Sequence, residues 1–183
     1  MDKPWFRNEL IKEINEEFSP LHKKFSDRKI YSALGEGPNC YCFALDVTHD
    51  SDGDVFTRRP GLGHWSGECT SSELLSLLQK SDSDDRLFEI IEADCEAMGK
   101  GFKRVDENYI PKDGEILGAF MYSTTSCDFH FARSESGEFW YHKQGLHNPI
   151  ITDLSGKLIT RPEDSDWGMY DQFCGRFVTW DKK

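Results

Sequence analysis

The sequence has no apolar run approaching the length of a membrane-spanning helix. It is also short of positive charge. Lys and Arg number 22 against 33 Asp and Glu, for a formal net charge of −11. Binding to nucleic acid or to an anionic membrane relies on clustered Lys and Arg, so neither is expected as the main partner. The first residues, MDKPWFRNELIKEINEEF, are charged and lack the apolar stretch of a signal peptide. Cytoplasmic synthesis is therefore expected, with export only by a route that uses no cleaved signal. There is no internal repeat. Six cysteines could suggest disulfides, but without a signal peptide and with ample core they are read as free thiols.

What is present is a core-forming composition: 183 residues, 37% hydrophobic and 13% aromatic. That supports one domain with a full core. Apolar residues at helical spacing over 4–18 predict an amphipathic helix ended by Pro20. A turn-rich LGEGPN leads to a helix from Cys40 to about Val47. A long loop dense in Gly, Asp and Pro follows. Thr70 and Glu73 form a capping-box signature that opens a helix to about Lys80. A further helix is expected from about Asp85 to Met98, stopped at Gly99. The period then changes, and strands are expected over 102–105, 115–122, 127–133, 138–143 and 173–180. Helices first and strands second is the α+β pattern. Residues 1–36 read as an N-terminal helical extension, and 37–183 as a core of helices packed on a small antiparallel β-sheet.

Two places carry chemistry. Asn39 is a good N-cap, which puts Cys40 at the first helical position. The helix dipole and unpaired N–H groups there favour a thiolate, the form that reacts. Cys42, about 200° further around the helix, reads as an inert buried thiol. The second place is CDFHFARSESGEFWYHK. If Gly137 closes a three-residue hairpin loop in the left-handed conformation, His130 pairs directly with His142 on one face of the sheet. Two opposed imidazoles repel if both are charged, so at least one is expected to be neutral near pH 7. A cysteine nucleophile needs an imidazole base, and the base needs a polar group to orient it. Cys40, His130 and His142 fill those roles, with Asp153 a rival for the third.

Asn39-Cys40-Tyr41-Cys42-Phe43-Ala44, taken with His130 and His142 on successive strands, resembles the papain-like hydrolases of the NlpC/P60 and CHAP kinds. The resemblance covers about residues 36–143. It implies a Cys-His-His triad. The expected substrate is a protein or peptide amide, no cofactor and no metal are expected, and the chain is expected to be a monomer. There is no Asp-Cys-Ser-Gly stretch, the Cys-to-His interval is long and the charge is acidic, so peptidoglycan is not the expected substrate. The segments DFHFAR, FWYHKQG and ITDLSG are similar to bacterial toxin or effector domains.

The backbone N–H of Cys40 is one expected oxyanion donor, and Tyr31 and Asn39 are candidates for the second. Arg58, Arg59, Gly61, His64 and Trp65 are expected at a rim or lid. Trp167, Tyr170 and Phe173 are candidate pocket aromatics. Three other readings compete. A zinc site could use Cys127 and His130 with Cys40 and Cys42. A calcium loop could begin at Asp50. A non-catalytic protein-binding domain could use Cys40 for packing alone. Transglutaminase-type transfer would share the thioester and differ only in what attacks it.

Overall fold

The computed structural model describes residues 39–47, 58–63, 65–144 and 149–182. The helix expected at 4–18, the start of the suggested calcium loop, Tyr31 and His64 lie outside these residues. The described elements are α1 (Cys40–Ala44), α2 (Ser71–Leu78), α3 (Asp84–Ala97), β1 (Lys100–Val105), β2 (Glu115–Ser123), β3 (Asp128–Ser134), β4 (Tyr141–His142), a 3₁₀ turn at Pro162–Asp164, and β5 (Gln172–Asp181). The fold class is α+β. Among the described residues no helix is long and apolar enough to cross a membrane.

Local signals set most of these boundaries. The Thr70 hydroxyl accepts from the Glu73 N–H, and the Glu73 carboxylate accepts from the Thr70 N–H at 2.7 Å, so both halves of the capping box are made. The chain leaves α3 through Gly99 at φ 72°, a left-handed conformation that costs glycine little. α1 is shorter than the sequence suggested. It ends at Ala44, and Asp46 then turns the chain at φ 54°.

The strands form one antiparallel sheet in the order β1-β5-β2-β3-β4. Strand alternation gives it two faces. Phe120, Phe131 and Phe177 point to the helices, where they join Tyr41, Leu87, Phe88 and Ile91. Phe120 and Phe131, directly opposed, stack at 4.5 Å. Gly118 leaves room for the Phe177 ring, which a Cβ at that position would overlap. The other face carries Leu117, Ala119, Met121, Ala132 and Val178 under Trp140, Ile159 and Trp167.

The β3–β4 hairpin differs from the expected one. Gly137 is left-handed, at φ 80°. The Ser134 hydroxyl, however, accepts from Gly137 N and donates to Phe139 O, which holds open a wider loop over 135–140. The register is therefore Ala132 opposite His142, two residues from the expected pairing. An even shift keeps every side chain on its face. His130 and His142 stay on one face as diagonal rather than direct neighbours. β4 is only two residues long, and on its outer side Trp140 N bonds Ile159 O while His142 exchanges both backbone hydrogen bonds with Ile150.

Candidate active site

Asn39 caps α1. Its Oδ1 accepts from Cys42 N at 3.0 Å, and its Nδ2 donates to Arg58 O at 2.6 Å. One end of its amide starts the helix and the other ties in the following loop. Cys40 is thereby placed at the helix start, as the sequence suggested, but it is buried, at 7% exposure. Its thiol is pushed up to about 12, first by burial and secondarily by the Asp128 carboxylate. The N–H groups of Phe131, Tyr41 and Cys40 face the sulfur and pull the other way. The expected lowering is thus reversed. A helix terminus is worth about 0.3–1 kcal/mol, and desolvation of a fully enclosed anion exceeds that.

The two histidines meet on the face away from the helices. His130 Nε2 lies 2.8 Å from His142 Nδ1, and His142 Nε2 lies 2.9 Å from the Thr152 carbonyl. A carbonyl only accepts, so His142 carries its proton on Nε2 and its Nδ1 is an acceptor. His130 must then donate from Nε2, which leaves its lone pair on Nδ1. Among the described residues nothing hydrogen-bonds that Nδ1. Both rings are neutral at pH 7. Burial holds His142 down at about 4, and burial with the neighbouring His142 holds His130 well below its ordinary value.

Aromatic rings keep this pair dry. Tyr170 stacks on His130 at 5.0 Å, and Trp167 meets His142 edge-on at 5.1 Å. The Trp167 indole N–H is held by Pro162 O at 2.6 Å, and the Tyr170 hydroxyl donates to Asp128 at 3.2 Å. Asp153, the rival orienting group, has another task. It accepts from Ser155 N and Oγ, Lys157 N and Asp166 N, which builds the turn after Thr152. Those bonds hold its carboxyl below the usual range.

Of the expected rim, Arg59 is exposed, with its guanidinium 6.0 Å from the Phe129 ring centre. Trp65 packs inward, 5.6 Å from Tyr41. The segment carrying them is anchored on Asp94, which is fully buried. Asp94 accepts from the Tyr41 hydroxyl at 2.8 Å, Gly61 N at 2.7 Å, Ser66 N at 3.2 Å and Ser66 Oγ at 2.5 Å. Sequence reading passed over Asp94 and Thr152. Asp94 left one signal, an acid within the apolar stripe of Leu87, Phe88, Ile90, Ile91 and Cys95. The Thr152 contribution is a backbone carbonyl and leaves none.

The groups named for zinc do not converge. Cys127 packs on the helix side and takes a hydrogen bond from Gln79, while His130 points to the opposite face. Among the described residues no group of three or more His, Cys, Asp or Glu is placed to hold a metal ion.

No protein-family model matches the chain. No solved structure matches it. Over 48 residues, 26% of the chain, it is 40% identical to Insoluble matrix shell protein 1 of Ruditapes philippinarum. The stretch spans 32% of that protein's length. A match of this extent is a local likeness and carries no activity with it.

Proposed function

We propose that the protein is a thiol-dependent hydrolase of amide bonds, built on a papain-like core of the NlpC/P60 or CHAP kind, with a protein or peptide as substrate. Cys40 is the nucleophile, His130 the general base and then general acid, and His142 the group that orients it. Among the described residues no hydrogen bond joins Cys40, in the helix-side cluster, to His130 on the other face of the sheet. The reading therefore requires the thiol to turn around the sheet edge to His130 Nδ1, where the Sγ proton passes as sulfur bonds the amide carbon. The tetrahedral intermediate collapses when the C–N bond breaks and His130 returns the proton to the leaving amine. Water, deprotonated by His130, then releases the acid from the thioester. The N–H of Cys40 faces the reacting centre as an oxyanion donor.

The observation that carries this reading is the chain from the Thr152 carbonyl through His142 to His130. It fixes the tautomer of His130 and leaves a lone pair free on the residue next to Phe131, whose N–H faces the Cys40 sulfur. The burial of Cys40 favours a second reading, a protein-binding domain in which the thiol only packs. Iodoacetamide labelling of folded protein, with each modified cysteine identified by mass, separates the two. The hydrolase reading expects Cys40 to react at least about tenfold faster than Cys42 or Cys95, and to lose that advantage in His130→Ala. Equal rates at Cys40 and the other buried thiols would leave the binding domain.

A further inference from the structure

His130 is 4% exposed, so a molecule that is to meet its imidazole must first displace something. Among the described residues three rings enclose it: His142 at its Nε2, Trp167 at 5.6 Å and Tyr170 at 5.0 Å. They differ in how they are held. His142 is buried and bound at both nitrogens. Trp167 is buried in the apolar cluster on that face, and its indole N–H is held by Pro162 O. Tyr170 is only half-buried. Its ring lies nearly parallel to the imidazole, at 19°, and its hydroxyl is tied by one hydrogen bond of 3.2 Å to Asp128. Of the three rings it alone reaches from His130 to solvent. The backbone that carries it is fixed on either side. Asp166 N donates to Asp153 and Asp166 O accepts from Leu154 N, each at 3.0 Å. The Asp171 carboxylate accepts from Thr124 N and Thr124 Oγ1, each at 3.0 Å. Lifting the whole segment would break all of these bonds, whereas turning the Tyr170 ring breaks one. Asp128 is itself half-buried, so its carboxylate meets water once released, and a bond of this kind is readily exchanged.

We propose that Tyr170 is a gate over His130, latched shut by its hydrogen bond to Asp128, and that solutes reach the imidazole when this ring swings out. The inference goes beyond the hydrolase reading. It fixes the way in to His130 whatever reacts there, and it does not need Cys40 to be the nucleophile. With the gate closed the imidazole is covered. With it open, the face of a neutral ring and the Asp128 carboxylate are both presented to whatever enters.

The test is acylation by diethyl pyrocarbonate near neutral pH, where both imidazoles are uncharged and can attack the reagent. Each modified histidine is identified by mass. Rates are compared in wild type, Tyr170→Phe, Asp128→Ala and the double variant. Tyr170→Phe keeps the ring and removes only the latch, and His130 is expected to react about fivefold faster. Asp128→Ala removes the same bond from its other end and is expected to match it. The double variant should be no faster than either, because one bond cannot be broken twice. His142, behind Trp167, should keep its wild-type rate throughout. Unchanged His130 rates in the single variants overturn the gate. So does a His142 rate that rises in step with His130, which would mean a general loosening. Additive acceleration in the double variant would mean that the two side chains act separately, and overturns the latch. Each single variant tests the bond by itself, so one that fails to fold leaves the other to decide. An unreactive Cys40 would remove the hydrolase reading and leave these expectations as they stand.

Discussion

Asp94 and His130 are both buried polar side chains in contact with aromatic rings, and they differ in how completely they are used. Asp94 receives four hydrogen bonds from Tyr41, Gly61 and Ser66. His130 has one nitrogen bound to His142 and the other without a hydrogen bond from any described residue. A buried group with every site filled joins segments and can do little else. A buried group with one site open keeps a capacity to accept a proton. The first kind builds the scaffold, and the second is where chemistry is expected.

Removing each group in turn separates the two roles. His130→Ala is expected to lower amide hydrolysis by about a thousandfold or more with little change in melting temperature. Asp94→Ala is expected to do the reverse. It strands the Tyr41 hydroxyl, the Gly61 N–H and Ser66, and should cost roughly 3 kcal/mol or more in denaturant unfolding. If Asp94→Ala folds normally and His130→Ala does not, the roles are exchanged.

A smaller effect concerns pH. An unfolded histidine gains its proton near pH 6.5. In the folded protein His142 does so only at about 4, and His130 is also held well down. The unfolded chain therefore binds more protons in between. The stability that neutral histidines supply is complete above about pH 6.5 and is lost as pH falls toward 4, by up to about 1.4 kcal/mol per pH unit for each ring. Urea unfolding at several pH values measures the slope, and His142→Gln should reduce it. An unchanged slope in that variant would mean the ring is not held neutral. The smallest effect is expected from Cys42→Ala. It should leave activity intact and cost about 1 kcal/mol for a sulfur removed from the core. A larger loss of activity than in Cys40→Ala would move the nucleophile to Cys42.

The parts of this protein that were legible in its sequence are those set by short-range rules. The Thr70 and Glu73 cap, the stop at Gly99 and the left-handed Gly137 all follow from a few adjacent residues. The common face of His130 and His142 survived even a two-residue error in register, because an even shift does not change the side on which a strand residue points. What was not legible came from distant groups. The Ser134 hydroxyl overrode the tight hairpin by bonding Gly137 and Phe139. Enclosure of α1 reversed the direction in which its terminus would move the Cys40 thiol. Asp94 acquires meaning only from partners met in the folded chain.

The carbonyl that orients His142 shares a peptide plane with the N–H of Asp153. That N–H is bound to Lys157 O at 2.8 Å, so the plane is pinned from both sides and cannot rotate without losing two hydrogen bonds. If it did rotate, the Thr152 oxygen would leave His142, both imidazoles would be free to exchange tautomers, and the vacant lone pair could settle at the wrong end of the chain. One rigid amide, at the start of the turn after Thr152, works as a compass for which nitrogen of each imidazole carries the proton. Asp153 touches neither histidine ring through its carboxylate, yet by building that turn it keeps the compass from spinning.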